Sequence, residues 1–223
     1  MKLKTAAAIL ALPLLAACSP EIESTVYVGD IVAAADGGAT NVPAILRIPQ
    51  NSEDSCKQGL ARLISNLGTL APVSGKGKCI EKDGDQLAEI ETELVVAGPG
   101  AAQGGKSLFV MNVAPGAAAQ SYALAFILTR PLEEIVRVLA TGSDQLQMDF
   151  DPAKFIFTFN NDRDGPVGIK GNAVFIDDAP ALPGTEPVSV ARRASATIVF
   201  SDVASVYAEA GNAYEFATVT VAE

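Results

Sequence analysis

Histidine and tryptophan are both missing from this chain, and the first absence removes more chemistry than any motif supplies. Without imidazole there is no Ser-His-Asp or Cys-His nucleophile, no His-ligated zinc and no histidine proton relay. Catalysis would have to rest on carboxylates, on a serine–lysine pair or on an exposed thiol. The Ser-x-x-Lys spacing of serine–lysine hydrolases does not occur. The lack of tryptophan, with aromatics at only 6%, disfavours a flat platform for sugars or ring cofactors. Basic residues are scarce as well, 16 against 26 acids for a formal charge of −10. Nucleic acid and anionic headgroups need clusters of lysine or arginine. The adjacent pair Arg192-Arg193 has no aromatic platform around it and reads as a solvated turn. No nucleic-acid partner and no cofactor is expected.

The apolar stretch at residues 6–15 is too short to cross a bilayer as a helix. It follows Lys2 and Lys4 and ends in Leu15-Ala16-Ala17-Cys18, the layout of a secretory signal. A signal ending in L-A-A-C resembles the lipobox of bacterial lipoproteins. The resemblance implies that residues 1–17 are a lipoprotein signal peptide and that Cys18 is the lipidation site, diacylated on sulfur and often acylated on its new amine. Ser19, rather than aspartate, then implies export to the outer membrane, with the chain held by lipid and facing the periplasm. Loss of Lys2 and Lys4 leaves 14 basic residues against 26 acids, a formal charge of −12.

With Cys18 committed to lipid, Cys56 and Cys79 remain. In an exported, oxidising setting two cysteines read as one disulfide. Their spacing is far from the C-x-x-C of redox or metal pairs, although a reactive thiol pair is the functional alternative.

Almost half the residues are apolar, so the chain is globular rather than disordered. Residues 22–28 alternate like a strand and begin only four positions after Cys18. A tether that short, at about 3.5 Å per extended residue, holds the fold against the membrane. A second apolar run covers residues 44–48. The clearest helix starts at Asn51 or Ser52 and ends at Gly68, with Cys56, Leu60, Leu63, Ile64 and Leu67 on one stripe. Cys79 falls in a strand at 76–81, so the disulfide would clamp helix to sheet. Further strands are expected at 87–96, 108–113 and 122–128, then a short helix with Leu132, Ile135, Val136 and Leu139 on one face. Seven of the nine phenylalanines lie from Phe150 onward, and short strands at 155–159, 169–176, 187–191, 195–200 and 214–221 favour a β-sandwich. The expected fold class is therefore α+β, mostly antiparallel β: an N-terminal α+β domain at 18–142 and a small C-terminal β-sandwich at 143–223.

Carboxylates supply the candidate sites. Glu89, Glu91 and Glu93 share one strand face and repel unless a cation or basic neighbours offset them. A solvated face is the simpler reading. Asn160-Asn161-Asp162-Arg163-Asp164-Gly165 partly matches a calcium loop, but asparagine holds the first ligand position and Gly171 replaces the bidentate glutamate. A turn uses the same residues. Asp149/Asp151 and Asp177/Asp178 are short acidic pairs beside proline-bearing turns. The glycine-rich stretch at 98–105 lacks the Lys-Ser/Thr ending of a phosphate loop. No catalytic residue and no metal ligand is assigned.

The layout also resembles small uncharacterised lipoproteins of proteobacteria and their phages, through the lipobox, the immediate strand, Val199-Phe200-Ser201-Asp202-Val203-Ala204, Gly211 and a last strand at 214–221. That resemblance implies no catalytic residue. The function expected is a non-enzymatic lipoprotein that binds a protein or envelope component close to the bilayer. Blocking a receptor or channel after phage infection is one special case. The alternatives are a carrier or chaperone for an apolar ligand held between helix and sheet, or a carboxylate-dependent hydrolase.

Overall fold

The computed structural model describes residues 19–101, 107–142 and 152–222; Cys18 and the pair Asp149/Asp151 lie outside them. Strand β1 (Glu21–Tyr27) alternates buried Ile22, Ser24 and Val26 with outward residues, then turns into helix α1 (Val28–Ala35). Strand β2 (Ala39–Gln50) runs back along β1. Helix α2 (Glu53–Leu70) follows, capped by Ser52, whose hydroxyl accepts from Ser55 N at 3.1 Å while Ser55 Oγ accepts from Ser52 N at 3.0 Å. The helix runs through Gly68, where the sequence suggests a stop. What ends it is Pro72, because the residue before a proline is pushed out of helical dihedrals, and Ala71 is extended.

Strands β3 (Val73–Lys82) and β4 (Asp85–Ala97) form a hairpin across Asp83-Gly84. Then come β5 (Phe109–Pro115), β6 (Ser121–Leu128) and helix α3 (Leu132–Leu139). Beyond the undescribed segment lie β7 (Lys154–Asn160), β8 (Val167–Gly171), β9 (Val174–Ile176), β10 (Ala179–Ala181), β11 (Val188–Val190), β12 (Ser195–Phe200), helix α4 (Asp202–Glu209) and β13 (Tyr214–Val221). The chain is thus α+β and mostly β, as its patterning indicates.

All thirteen strands among the described residues belong to one sheet, in the order β10-β9-β12-β7-β1-β2-β4-β5-β6-β13-β8-β11, with β3 added to the side of β4. Pairing is antiparallel except for β1 with β7 and β4 with β5. The strands after residue 152 join the sheet that the N-terminal strands begin and extend both of its arms. Residues 169–176, read as one strand, split at Asn172-Ala173 into β8 and β9, which belong to opposite arms.

The sheet curls on itself. Between β6 and β7 lie four other strands, so at about 4.8 Å per strand they would stand about 24 Å apart if flat. Yet the rings of Phe126 and Phe155 are 4.9 Å apart, and those of Phe126 and Phe157 5.2 Å. Phe200 and Phe216 complete the cluster. The expected phenylalanine face of β7 is core, and each ring buried there contributes about 1.5–3 kcal/mol relative to exposure. Where the arms meet, a Cβ on Gly171 would sit 2.6 Å from the Ala181 side chain; only glycine allows that approach. Helix α1 closes one end of the curl with Val28, Ile31 and Ala34. Its carbonyl at Ala34 would lie 1.7 Å from a Cβ on Gly98, which explains the glycine there.

Helices α3 and α4 lie at the opposite end, where β1 and β7 begin and β6 and β12 finish. The chain enters the fold at that same end. Pro20 O accepts from Lys154 N at 2.8 Å, and Ala153 N donates to Glu209 Oε1 at the last turn of α4.

Candidate functional site

Three surfaces hold the chemistry-bearing side chains. The first is a row of charges at the chain-entry end, written into the register of five strands. Lys154 on β7 pairs with Glu21 on β1, Glu21 with Arg47 on β2, Arg47 with Glu89 on β4, and Glu89 with Lys78 on β3. The signs alternate across the sheet, so every internal charge has opposite neighbours on both sides. Arg47 Nη1 lies 3.2 Å from Glu21 and 2.5 Å from Glu23, and its Nε lies 2.9 Å from Glu89. Lys82 reaches Glu21 at 2.7 Å and Lys78 reaches Glu89 at 3.1 Å. Burial pushes the Glu89 carboxyl up, but hydrogen bonds and charge from Lys78 and Arg47 outweigh it and hold it below the usual range. Burial by itself would lower the Arg47 guanidinium, but hydrogen bonds and charge from Glu23 and Glu89 outweigh it and hold it above the usual arginine value. The row is an ion-pair network with its charges satisfied, and not a poised acid or base.

The three in-line glutamates of β4 therefore have separate partners. Glu89 is in the row, Glu91 accepts from Ser74 Oγ at 3.0 Å, and Glu93 accepts from Asn41 Nδ2 at 2.8 Å. Basic neighbours offset Glu89; hydrogen bonds serve the other two. Glu91 and Glu93 rim the second surface, a groove of about 440 Å³ floored by Pro43, Ile45, Pro72 and Val73. It opens because β3 slips register between Val73 and Gly77. The bulge leaves Ser74, Gly75 and Lys76 without register partners on β4, and Gly75 takes a left-handed φ of 74° there.

The third surface is the loop after β7. Asn161 is buried and donates from Nδ2 to Gly165 O and Val190 O, both at 2.9 Å, while its Oδ1 accepts from Arg163 N. Asp162 Oδ1 accepts from Gly29 N at 2.8 Å, which ties the loop to the start of α1. Asp164 pairs with Arg192 on the outside. Of the oxygens that could have faced an ion, Asn161 Oδ1 serves the loop's own turn, Asp162 Oδ1 the start of α1 and Asp164 Oδ1 the Arg192 pair. Asp177 and Asp178 are likewise turn residues with left-handed φ, and Asp177 Oδ1 accepts from Thr197 N. Among the described residues, no three His, Cys, Asp or Glu side chains gather as a metal site.

Cys56 and Cys79 are bonded, with Cα atoms 6.0 Å apart. Cys56 lies on the buried stripe of α2, so the bond fastens the first turn of that helix to β3. A small apolar cavity of about 10 Å³ lies between α3 and β2, lined by Pro20, Leu46, Ile48, Leu132 and Ile135. That is room for about one water centre, not for an apolar ligand.

Residues 20–223 match the family model described as a domain of unknown function, DUF7424. The chain belongs to that family. Its match runs from the residue before β1 to the end of the chain, so both arms of the sheet fall in one family unit. No curated protein and no solved structure matches the chain. What sequence patterning missed in this DUF7424 chain is the charge row, because its members lie on five strands distant in sequence. The only hint was the trio of glutamates facing one way on β4.

Proposed function

We propose that the chain is a membrane-anchored lipoprotein of the outer membrane, without catalytic turnover, that binds a protein or envelope component close to the bilayer. The observation that carries this reading is the length of the tether. Strand β1 begins at Glu21 and Pro20 is already hydrogen-bonded into the sheet, so Cys18 to Pro20 spans only about 7–10 Å. A lipid on Cys18 would hold the fold at the membrane surface. Glu89, Glu91, Glu93 and Asp177 are each engaged by other residues of this chain, which favours binding over carboxylate catalysis. A carrier role draws no support from the closed space between α3 and the sheet.

Anchoring is checked by intact mass and fractionation. The wild-type chain is expected to carry a diacylglyceryl group on Cys18 and to sediment with outer membranes. Cys18→Ser is expected to appear in the soluble periplasmic fraction or as uncleaved precursor. A soluble, unacylated wild type would end the proposal.

The binding role is checked by lengthening the tether. About twenty Gly/Ser residues inserted after Pro20 add a root-mean-square reach of about 25 Å. Crosslinking to a membrane-proximal partner should fall, since effective concentration drops as the tether grows. Unchanged crosslinking, with loss of a hydrolytic activity in Glu89→Gln, Glu91→Gln and Glu93→Gln, would replace binding with carboxylate catalysis.

A further inference from the structure

Helix α4 turns its apolar side outward. Ala204, Ser205 and Ala208 face the core, while Val203 is 80% exposed, Val206 54% and Tyr207 49%. These three are spaced i, i+3 and i+4 and so share one face. Scattered exposed apolar residues are ordinary, whereas a contiguous face of a helix marks a contact. Its capping is independent of that face: Ser201 Oγ accepts from Ala204 N and donates to Ala173 O.

The placement of the helix identifies what covers it. Strand β12 descends toward the chain-entry end, with Ser195 opposite Asn160 and Val199 opposite Ile156. Helix α4 then crosses that end to β13, which starts beside β6 at Tyr214. Its last residue, Glu209, accepts from Ala153 N, and the next residue, Lys154, donates from its backbone to Pro20 O. At Gly211 the following turn lies against the β6–α3 connection, 3.6 Å from Leu128 O to a built Cβ. The outward face of α4 therefore looks away from the core at the end where the chain arrives from Cys18.

We infer that Val203, Val206 and Tyr207 form a membrane-contact face that rests in the interfacial layer of the bilayer carrying the lipid anchor. This rests on the anchoring proposed above. The contact is apolar and not electrostatic, since a chain this acidic gains nothing from anionic headgroups. Three side chains are too few to hold a protein on a membrane alone. They act because the acyl chains already fix the fold within reach, which makes their insertion an intramolecular step. The consequence is orientation: α4 and the chain-entry end face the lipid, and the groove beside Glu91 and Glu93 stands clear of it.

The absence of tryptophan makes the test background-free. Val206→Trp, and separately Val203→Trp, place one fluorophore on the face. Tyr27→Trp places one at the far end of β1, about 20 Å away along the strand. The acylated full chain is reconstituted in phosphatidylcholine vesicles with and without brominated acyl chains, and acylation is checked by mass. Emission from both α4 variants is expected to shift to shorter wavelength and to be quenched by the brominated lipid, with Tyr27→Trp unaffected. If acylated protein sediments with vesicles while both α4 reporters stay unquenched, the contact face is wrong and anchoring stands. Equal quenching at Tyr27→Trp would also overturn it, because the fold would then lie without a preferred end toward the lipid. A blue shift without quenching, accompanied by crosslinked dimers, would reassign the face to a second copy. A chain that carries no acyl group and does not sediment removes the anchoring and this contact together.

Discussion

Arg47→Met is expected to destabilise the protein by about 3 kcal/mol, the lower end for breaking a buried pair, because Glu21 and Glu89 lose their most buried counter-charge and keep only the more exposed Lys82 and Lys78. The side chain of Arg47 is only 10% exposed, and those of Glu21 and Glu89 are 8% and 11% exposed. Urea unfolding should show the midpoint falling with the slope unchanged. Removing the stranded charges too, in Arg47→Met/Glu21→Gln/Glu89→Gln, should recover most of the loss. By contrast Lys57→Met, which breaks the exposed Glu53–Lys57 pair, should leave the midpoint close to wild type, as solvent-facing ion pairs contribute little.

The pH dependence follows from Glu89. Its folded pKa is depressed, so its contribution is complete above the unfolded carboxylate value of about 4.3 and is lost as pH falls through the lower folded value. In Arg47→Met the part of that depression due to Arg47 disappears, while the Lys78 part remains. The stability gap between wild type and variant should therefore narrow as the pH is lowered below about 4. A gap independent of pH would show that Arg47 acts through packing and not through its charge.

Loss of the disulfide should have the next largest effect. Cys56→Ala/Cys79→Ala is expected to unfold about 2–4 kcal/mol more easily, since the bond closes a loop that otherwise adds entropy to the unfolded chain. The damage should be uneven. Strand β3 has a single strand neighbour, β4, and otherwise rests on α2, so the bond is its second fastening. Backbone amides of residues 76–82 should lose exchange protection first, while those of β1 and β2 near the charge row keep theirs. Protein purified without reductant should lack titratable thiols at both positions until it is reduced and denatured. Two free thiols in native protein would contradict the bond.

Local patterning was readable wherever one face of one element carried the signal. The stripe of α2, the run of α3 and the alternation of β4 and β7 each place the right residues inward. Helices α1 and α4 escaped, for different reasons. Val28 continues the β-branched texture of β1, and it is burial of Val28, Ile31 and Ala34 against the end of the sheet that turns the chain helical there. The face of α4 that carries Val203, Val206 and Tyr207 is apolar although it points to solvent, so no amphipathic period shows. Residues 169–176 read as one strand although Gly171-Asn172 is a turn pair; the chain breaks there, with Ala173 at a left-handed φ of 52°, and the two halves join different arms of the sheet.

What the sequence determined by itself is short-range: the L-A-A-C run just ahead of β1, the cysteine pair, the helix cap at Ser52, the phenylalanines that must be buried, and the catalytic chemistry that a chain without histidine forgoes. These depend on residue type and on neighbours a few positions away. The tertiary structure alone decided that the chain forms one curled sheet, that Lys154, Glu21, Arg47, Glu89 and Lys78 line up as alternating charges, and that α4 sits beside the chain-entry end. Each of these depends on which strands become neighbours. That choice is made by the global burial of the phenylalanine core, because a strand's own period specifies which face turns inward but not which strand lies beside it.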